Sequence, residues 1–228
     1  MFNKRRQKVA NKLKRDKRSW LALVPGASFY YFTGVSLKQS ERISVAFLSQ
    51  EEELILILPE VEGDKANEVD ADHIVTYKDK NGINSVLDNP ILKDIVSDSL
   101  LVEEDKMRLV ESNFLQKLGF RNLVPYSDTI QEFRVLKEAN ELENIQSAVH
   151  ILESSLEALL EQIKVGMTEI EIASILEFEM KKRGSKGTPF ETIVASGERS
   201  AKPHGRASEK KIRNGELVIL DFGAYKNG

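Results

Sequence analysis

The chain of 228 residues is 41% hydrophobic and 30% charged, enough apolar material for a substantial core and enough length for two domains. With 36 acidic against 33 basic side chains its formal charge is -3, which argues against a surface built throughout for nucleic acid or anionic lipid. It has no cysteine, so disulfides, thiolate metal sites and a cysteine nucleophile are excluded, and a reducing cytoplasm fits.

The opening "MFNKRRQKVANKLKRDKRSW" is charged and lacks the apolar core of a leader peptide. Val9 and Leu13, one helical turn apart, predict an amphipathic helix with Lys and Arg on its outer face. Asp16 breaks the basic run and no aromatic residues are interleaved for base stacking, so no nucleic-acid partner is expected. Strands are predicted at "WLALV" (20–24), "RISVAFL" (42–48), "LILIL" (54–58) and "HIVTY" (73–77), separated by Pro25, Gly26, the acidic "QEEE" and "EGDKANEVDAD". "LILIL" is far too short to cross a bilayer, and no membrane partner is expected. "NPILKDIVSDSL" predicts a short helix starting at Pro90, "LLVEE" a strand, and "MRLVESNFLQKLGF" a helix ending near Gly119. Alternating strands and helices predict an α/β domain over residues 1–130.

Over residues 131–228 the pattern changes. Leu142, Ile145, Val149, Leu152, Leu156, Leu159 and Ile163 follow spacings of three and four, predicting one long amphipathic helix stopped at Gly166. Thr168 and Glu171 form a capping box for a following helix that ends at Gly184. "FETIVASG" and "GELVILDFG" read as strands, whose pairing partners are expected to lie elsewhere.

Chemistry concentrates in "TPFETIVASGERSAKPHG" (188–205), which carries His204 between Pro203 and Gly205, and in the closing "GELVILDFGAYKNG", which delivers Asp221 at the end of an apolar run. Alone, a loop His is most often solvated, and an Asp closing a strand most often accepts a turn amide. "LDFG" also matches the magnesium-binding segment of protein kinases. However, Arg206 stands where the kinase base would be, and no two glycines are separated by a single residue to make a phosphate loop.

Together these stretches resemble the Xaa-Pro peptidases, the prolidase, aminopeptidase P and creatinase group of the pita-bread metallopeptidase family. "SFYYFTGV" (28–35) is similar to a tyrosine-rich segment of that group's N-terminal domain, and "IQEFRVLKEANELENIQSAV" (130–149), with Arg134, Lys137 and Glu141, to its interdomain junction. The resemblance implies a creatinase-like α/β domain followed by part of an α+β pita-bread domain. It further implies cleavage of the peptide bond before proline by two divalent ions, manganese foremost with cobalt or zinc as alternatives, held by two Asp, one His and two Glu. Asp221 matches the first Asp ligand, His204 a histidine lining the substrate pocket, and Phe190 a pocket wall. Of the five ligands the chain carries one, so it is expected to be an inactive, truncated piece of a homodimeric cytoplasmic enzyme acting on Xaa-Pro peptides. The alternative is a non-catalytic module of the same fold that binds peptides or dimerises.

Overall fold

The basic opening folds as α1 (Phe2–Arg15), whose inner face buries Arg5, Val9, Ala10 and Leu13. The Arg5 guanidinium lies 3.9 Å from the Tyr31 ring centroid, a cation–π contact. Asp16, the residue that broke the basic run, caps this helix. It pairs with Lys12 at 2.9 Å and accepts a 2.6 Å hydrogen bond from the Tyr126 hydroxyl, across 110 residues of chain. The basic segment is thus a packed element tied to the far end of its own unit.

The computed structural model describes residues 1–66 and 69–227. Asn67 and Glu68 of the acidic spacer, and Gly228 of the closing motif, lie outside the described residues. The chain divides into two units, Met1–Leu136 and Lys137–Gly228. In the first, α1 is followed by β1 (Trp20–Leu23), α2 (Ala27–Thr33), β2 (Val45–Ser49), β3 (Leu54–Pro59), α3 (Gly63–Ala66), β4 (His73–Tyr77), α4 (Pro90–Asp94), β5 (Ser99–Val102), α5 (Leu109–Leu118), β6 (Asn122–Pro125) and α6 (Ser127–Val135). The six strands form one mixed sheet in the order β4-β3-β2-β1-β5-β6. β1–β2 and β2–β3 are antiparallel and the remaining pairs parallel.

Both faces of this sheet are covered, which is why its central strands read as unbroken apolar runs. The two-residue pleat sends Phe47, Ile55 and Ile57 to one face with Phe114 and Phe120, and Leu48, Leu54 and Leu56 to the other with Phe29 and Phe32. The aromatic "SFYYFT" becomes helical because burying Phe29, Tyr31 and Phe32 outweighs their propensity. Each buried side chain contributes about 1.5–3 kcal/mol, against a deficit of at most about 0.7 kcal/mol per residue. The strand expected from residue 42 begins only at Val45, because Arg42 instead turns out to fork onto Asp79 at 2.7–3.1 Å.

The first unit runs past the expected boundary at 130. Ile130 and Phe133 of α6 pack beneath the sheet, and the Tyr31 hydroxyl donates to the Phe133 carbonyl at 2.7 Å. Glu103, buried at the end of β5, accepts from the Ser28 hydroxyl at 2.6 Å. Burial pushes its carboxyl above the ordinary range, a rise that this hydrogen bond only partly opposes. Because the folded-state value is the higher one, the stability linked to Glu103 is full below the ordinary carboxylate pKa and is lost as pH rises through the folded value. Glu103→Gln should therefore gain stability relative to the parent chain between about pH 4 and about pH 7, as read by urea unfolding at both. A difference independent of pH would contradict this.

In the second unit, α7 (Ala139–Leu160) is followed by α8 (Glu169–Lys182), β7 (Ile193–Ser196) and β8 (Val218–Asp221). α7 stops before Gly166, at which the sequence predicted its end. Gly166 sits instead at φ +93 in a turn, its N–H donating to the Ile212 carbonyl at 3.0 Å while Ile212 donates to Met167 at 2.9 Å. Only the second half of the predicted stripe enters the core, with Leu159 buried and Leu152, Leu156 and Ile163 partly buried; Leu142, Ile145 and Val149 are exposed. The capping box at α8 forms as predicted, Thr168 Oγ1 accepting from the Glu171 amide at 3.2 Å and Glu171 accepting from the Thr168 amide at 2.7 Å. β7 and β8, expected to pair elsewhere, pair with each other in antiparallel register, from Ile193↔Asp221 to Ser196↔Val218. No helix among the described residues is long and apolar enough to cross a membrane.

Candidate active site

Three expected site residues gather around β7. Beyond Ser196 the chain turns through Gly197 at φ +55 into a short helical turn, Gly197–Ala201, and then through Lys202, Pro203 and His204. It returns at Gly205, where an added Cβ would lie 3.1 Å from the Ala195 side chain, and Arg206 forms a β-bridge with Ile193. His204 thus projects, exposed, from the tip of a loop folded back on its own strand. Asp221 pairs with the same Ile193 from the other side. Arg206 and Asp221 consequently flank β7, roughly 10 Å apart at two strand spacings. Phe190 packs against the turn after Asp221: a Cβ on Gly223 would meet Pro189 Cγ at 2.6 Å and Phe190 Cε1 at 3.0 Å. Phe190 nevertheless keeps 45% of its surface exposed, available for an apolar contact.

Behind this surface lies a group that sequence reasoning missed. Glu169, at the first position of α8, is fully buried. Its carboxylate accepts from the Ser196 amide and hydroxyl at 2.8 and 2.9 Å, the Ser208 amide and hydroxyl at 3.2 and 2.7 Å, and Arg199 Nε at 3.0 Å. Burial pushes the carboxyl up, but the donors from Ser208, Ser196 and Arg199 outweigh it and hold the group below the ordinary range. Glu169 is therefore ionised at neutral pH. Lys210 extends the network, donating to Ser196 Oγ at 2.8 Å and Glu216 Oε2 at 2.6 Å. In the sequence Glu169 was visible only as a helix-start acid, since all its partners are distant.

Metal binding can be tested against the donor set. Among the described residues there is no group of three or more His, Cys, Asp or Glu side chains able to hold an ion. Asp221 offers one carboxylate, and a divalent ion held against water needs several ligands in fixed geometry. The residues present do not by themselves make a metal centre.

The profile of the Creatinase/Prolidase N-terminal domain matches residues 5–136, and that of Metallopeptidase family M24 matches residues 143–228. The chain belongs to the creatinase/prolidase group of family M24 metallopeptidases. The Xaa-Pro dipeptidase of Pyrococcus furiosus is 34% identical over 198 residues, covering 87% of this chain and 54% of that protein. The putative dipeptidase YkvY of Bacillus subtilis is 28% identical, over 97% of this chain and 62% of its own. Among solved structures, the prolidase from Thermococcus sibiricus superposes with a TM-score of 0.90 at 28% identity, covering 100% of this chain and 62% of that one. The chain thus spans between 54% and 62% of the length of these family members, and it shares their creatinase-like α/β domain and part of their M24 fold.

Proposed function

We propose that this chain is part of a proline-specific peptidase, a dipeptidase or aminopeptidase that cleaves the bond between any residue and a following proline. Family membership supports a metal-dependent hydrolase. The observation that carries the reading further is the placement of Asp221 on one side of β7 and of the exposed His204 loop on the other, with the exposed Phe190 ring beside the turn after Asp221.

In this reading Asp221 contributes one ligand to a pair of divalent ions, manganese in the first instance and cobalt or zinc as alternatives. The remaining ligands would be supplied by the part of the family fold that this chain does not span. His204, exposed at its loop tip, handles a proton or holds the substrate carbonyl. Phe190 supplies an apolar wall for the substrate. A homodimer and a cytoplasmic location belong to the same proposal.

The test extends the chain by the family's remaining catalytic segment and supplies manganese, cobalt or zinc. Proline released from Xaa-Pro dipeptides is the expected result. Release of the first residue only from longer peptides would make the enzyme an aminopeptidase. No hydrolysis of either substrate with any of the three ions would overturn the assignment, and peptide binding without turnover would favour a non-catalytic module.

A further inference from the structure

The loop that presents His204 leaves β7 at Ser196 and is rejoined to the fold at Ser208, and both of these residues are held by one buried carboxylate. Arg199, inside the loop, is held by the same group and reaches across to the Arg206 carbonyl at 2.5 Å. Nearer the tip the bonds from Lys202 to Arg199 at 3.0 Å and from Gly205 to Lys202 at 3.2 Å are local, while beyond the tip Arg206 bridges to Ile193 and pairs with Glu191 at 2.8 Å. The Glu169 amide also donates to the Lys210 carbonyl at 3.0 Å, anchoring the segment that leaves the loop.

We propose that Glu169 is a positioning residue, whose carboxylate clamps both stems of the 196–208 loop and so fixes where His204 stands relative to Asp221. The proposal rests on the role for His204 given above. The chemistry selects a carboxylate of this length. Five donors converge on two oxygens, one of them a guanidinium, so the group must accept only and carry charge. The amide of a Gln in the same volume would turn N–H groups toward donors, leaving buried amides and a guanidinium without an acceptor. The capping box does not depend on it, since Thr168 and Glu171 bond each other. α8 should therefore survive the change while the loop loosens.

Two independent readouts test this. In the 228-residue chain itself, Glu169→Gln should raise amide hydrogen exchange over residues 197–208 by about tenfold or more while the amides of α8 and of the sheet in the first unit stay protected. Ser208→Ala, which removes one donor and leaves the charge, should shift the same amides in the same direction by less. Unchanged exchange in that segment in both variants overturns the clamp, as does an increase spread equally through α8. In the extended enzyme, Glu169→Gln should lower kcat by roughly 10- to 100-fold, and that loss should vanish in a His204→Ala background, because the clamp acts through His204. Additive losses would show that Glu169 does not act through His204. If the extended parent enzyme has no peptidase activity the functional reading fails, and the exchange experiment still decides whether the clamp exists.

Discussion

Asp221→Asn, in the chain extended by the family's remaining catalytic segment, is expected to remove bound metal and proline release together. The amide keeps the shape of the carboxylate, and β8 should pair with β7 as before, since the Ile193↔Asp221 register depends on backbone bonds. The charge is lost, and a neutral oxygen holds a divalent ion far more weakly than an anionic one. Losing an outer partner of a metal ligand costs about 10–100-fold in affinity, so losing a ligand should exceed that. His204→Ala is expected to separate the two readouts. Metal content by elemental analysis stays at the parent level, while kcat falls by about 10²–10⁴-fold, the usual contribution of a positioned acid or base. Metal lost on His204→Ala, or metal and activity both retained on Asp221→Asn, would show that the roles are assigned wrongly.

The second large effect concerns the 228-residue chain alone, which should release no proline from Xaa-Pro peptides with manganese, cobalt or zinc. The reason lies in the donor set: among the described residues no three acidic or histidine side chains are grouped so that they could hold an ion. Titration calorimetry should accordingly find no saturable manganese site at micromolar concentration, roughly 8 kcal/mol of binding free energy. Metal-stimulated proline release by this polypeptide would contradict the prediction and would require ligands from a second copy.

What the sequence revealed, and what it hid, follows from where each signal resides. "LILIL" was readable as a strand because both faces of β3 are buried, so every residue carries the same apolar mark. The Thr168–Glu171 box was readable because a cap is written within four consecutive residues. β6 (Asn122–Pro125) was not recognised, since it is a short, half-exposed edge strand. The break between α6 and α7 was also hidden. The apolar spacing runs on through it, whereas the structure turns at Leu136 (ψ 114) and restarts with Glu138 and Glu141 capping each other. At the candidate site, the order of motifs pointed to His204, Asp221 and Phe190, whose roles remain a proposal. Glu169 stayed hidden because its partners, Ser196, Arg199 and Ser208, lie 27, 30 and 39 residues away and meet it only after folding.

The sheet order has a consequence for how the first unit is made. β1, the first strand of this sheet in chain order, lies inside it, with β2 on one side and β5 on the other. Its antiparallel partner β2 follows once α2 has been made, but Leu21 pairs across the other edge with Leu101, 80 positions further along the chain, and that stretch must be translated first. At 5–20 residues per second that edge waits about 4–16 s on the ribosome, apolar and open to pairing with a neighbouring nascent chain. The seal comes later still, when Tyr126 reaches Asp16 and ties the last strand to the first helix. Crowded polysomes are therefore where this unit is most exposed to misassembly, and a chaperone that shields β1 until β5 emerges would act at the vulnerable moment.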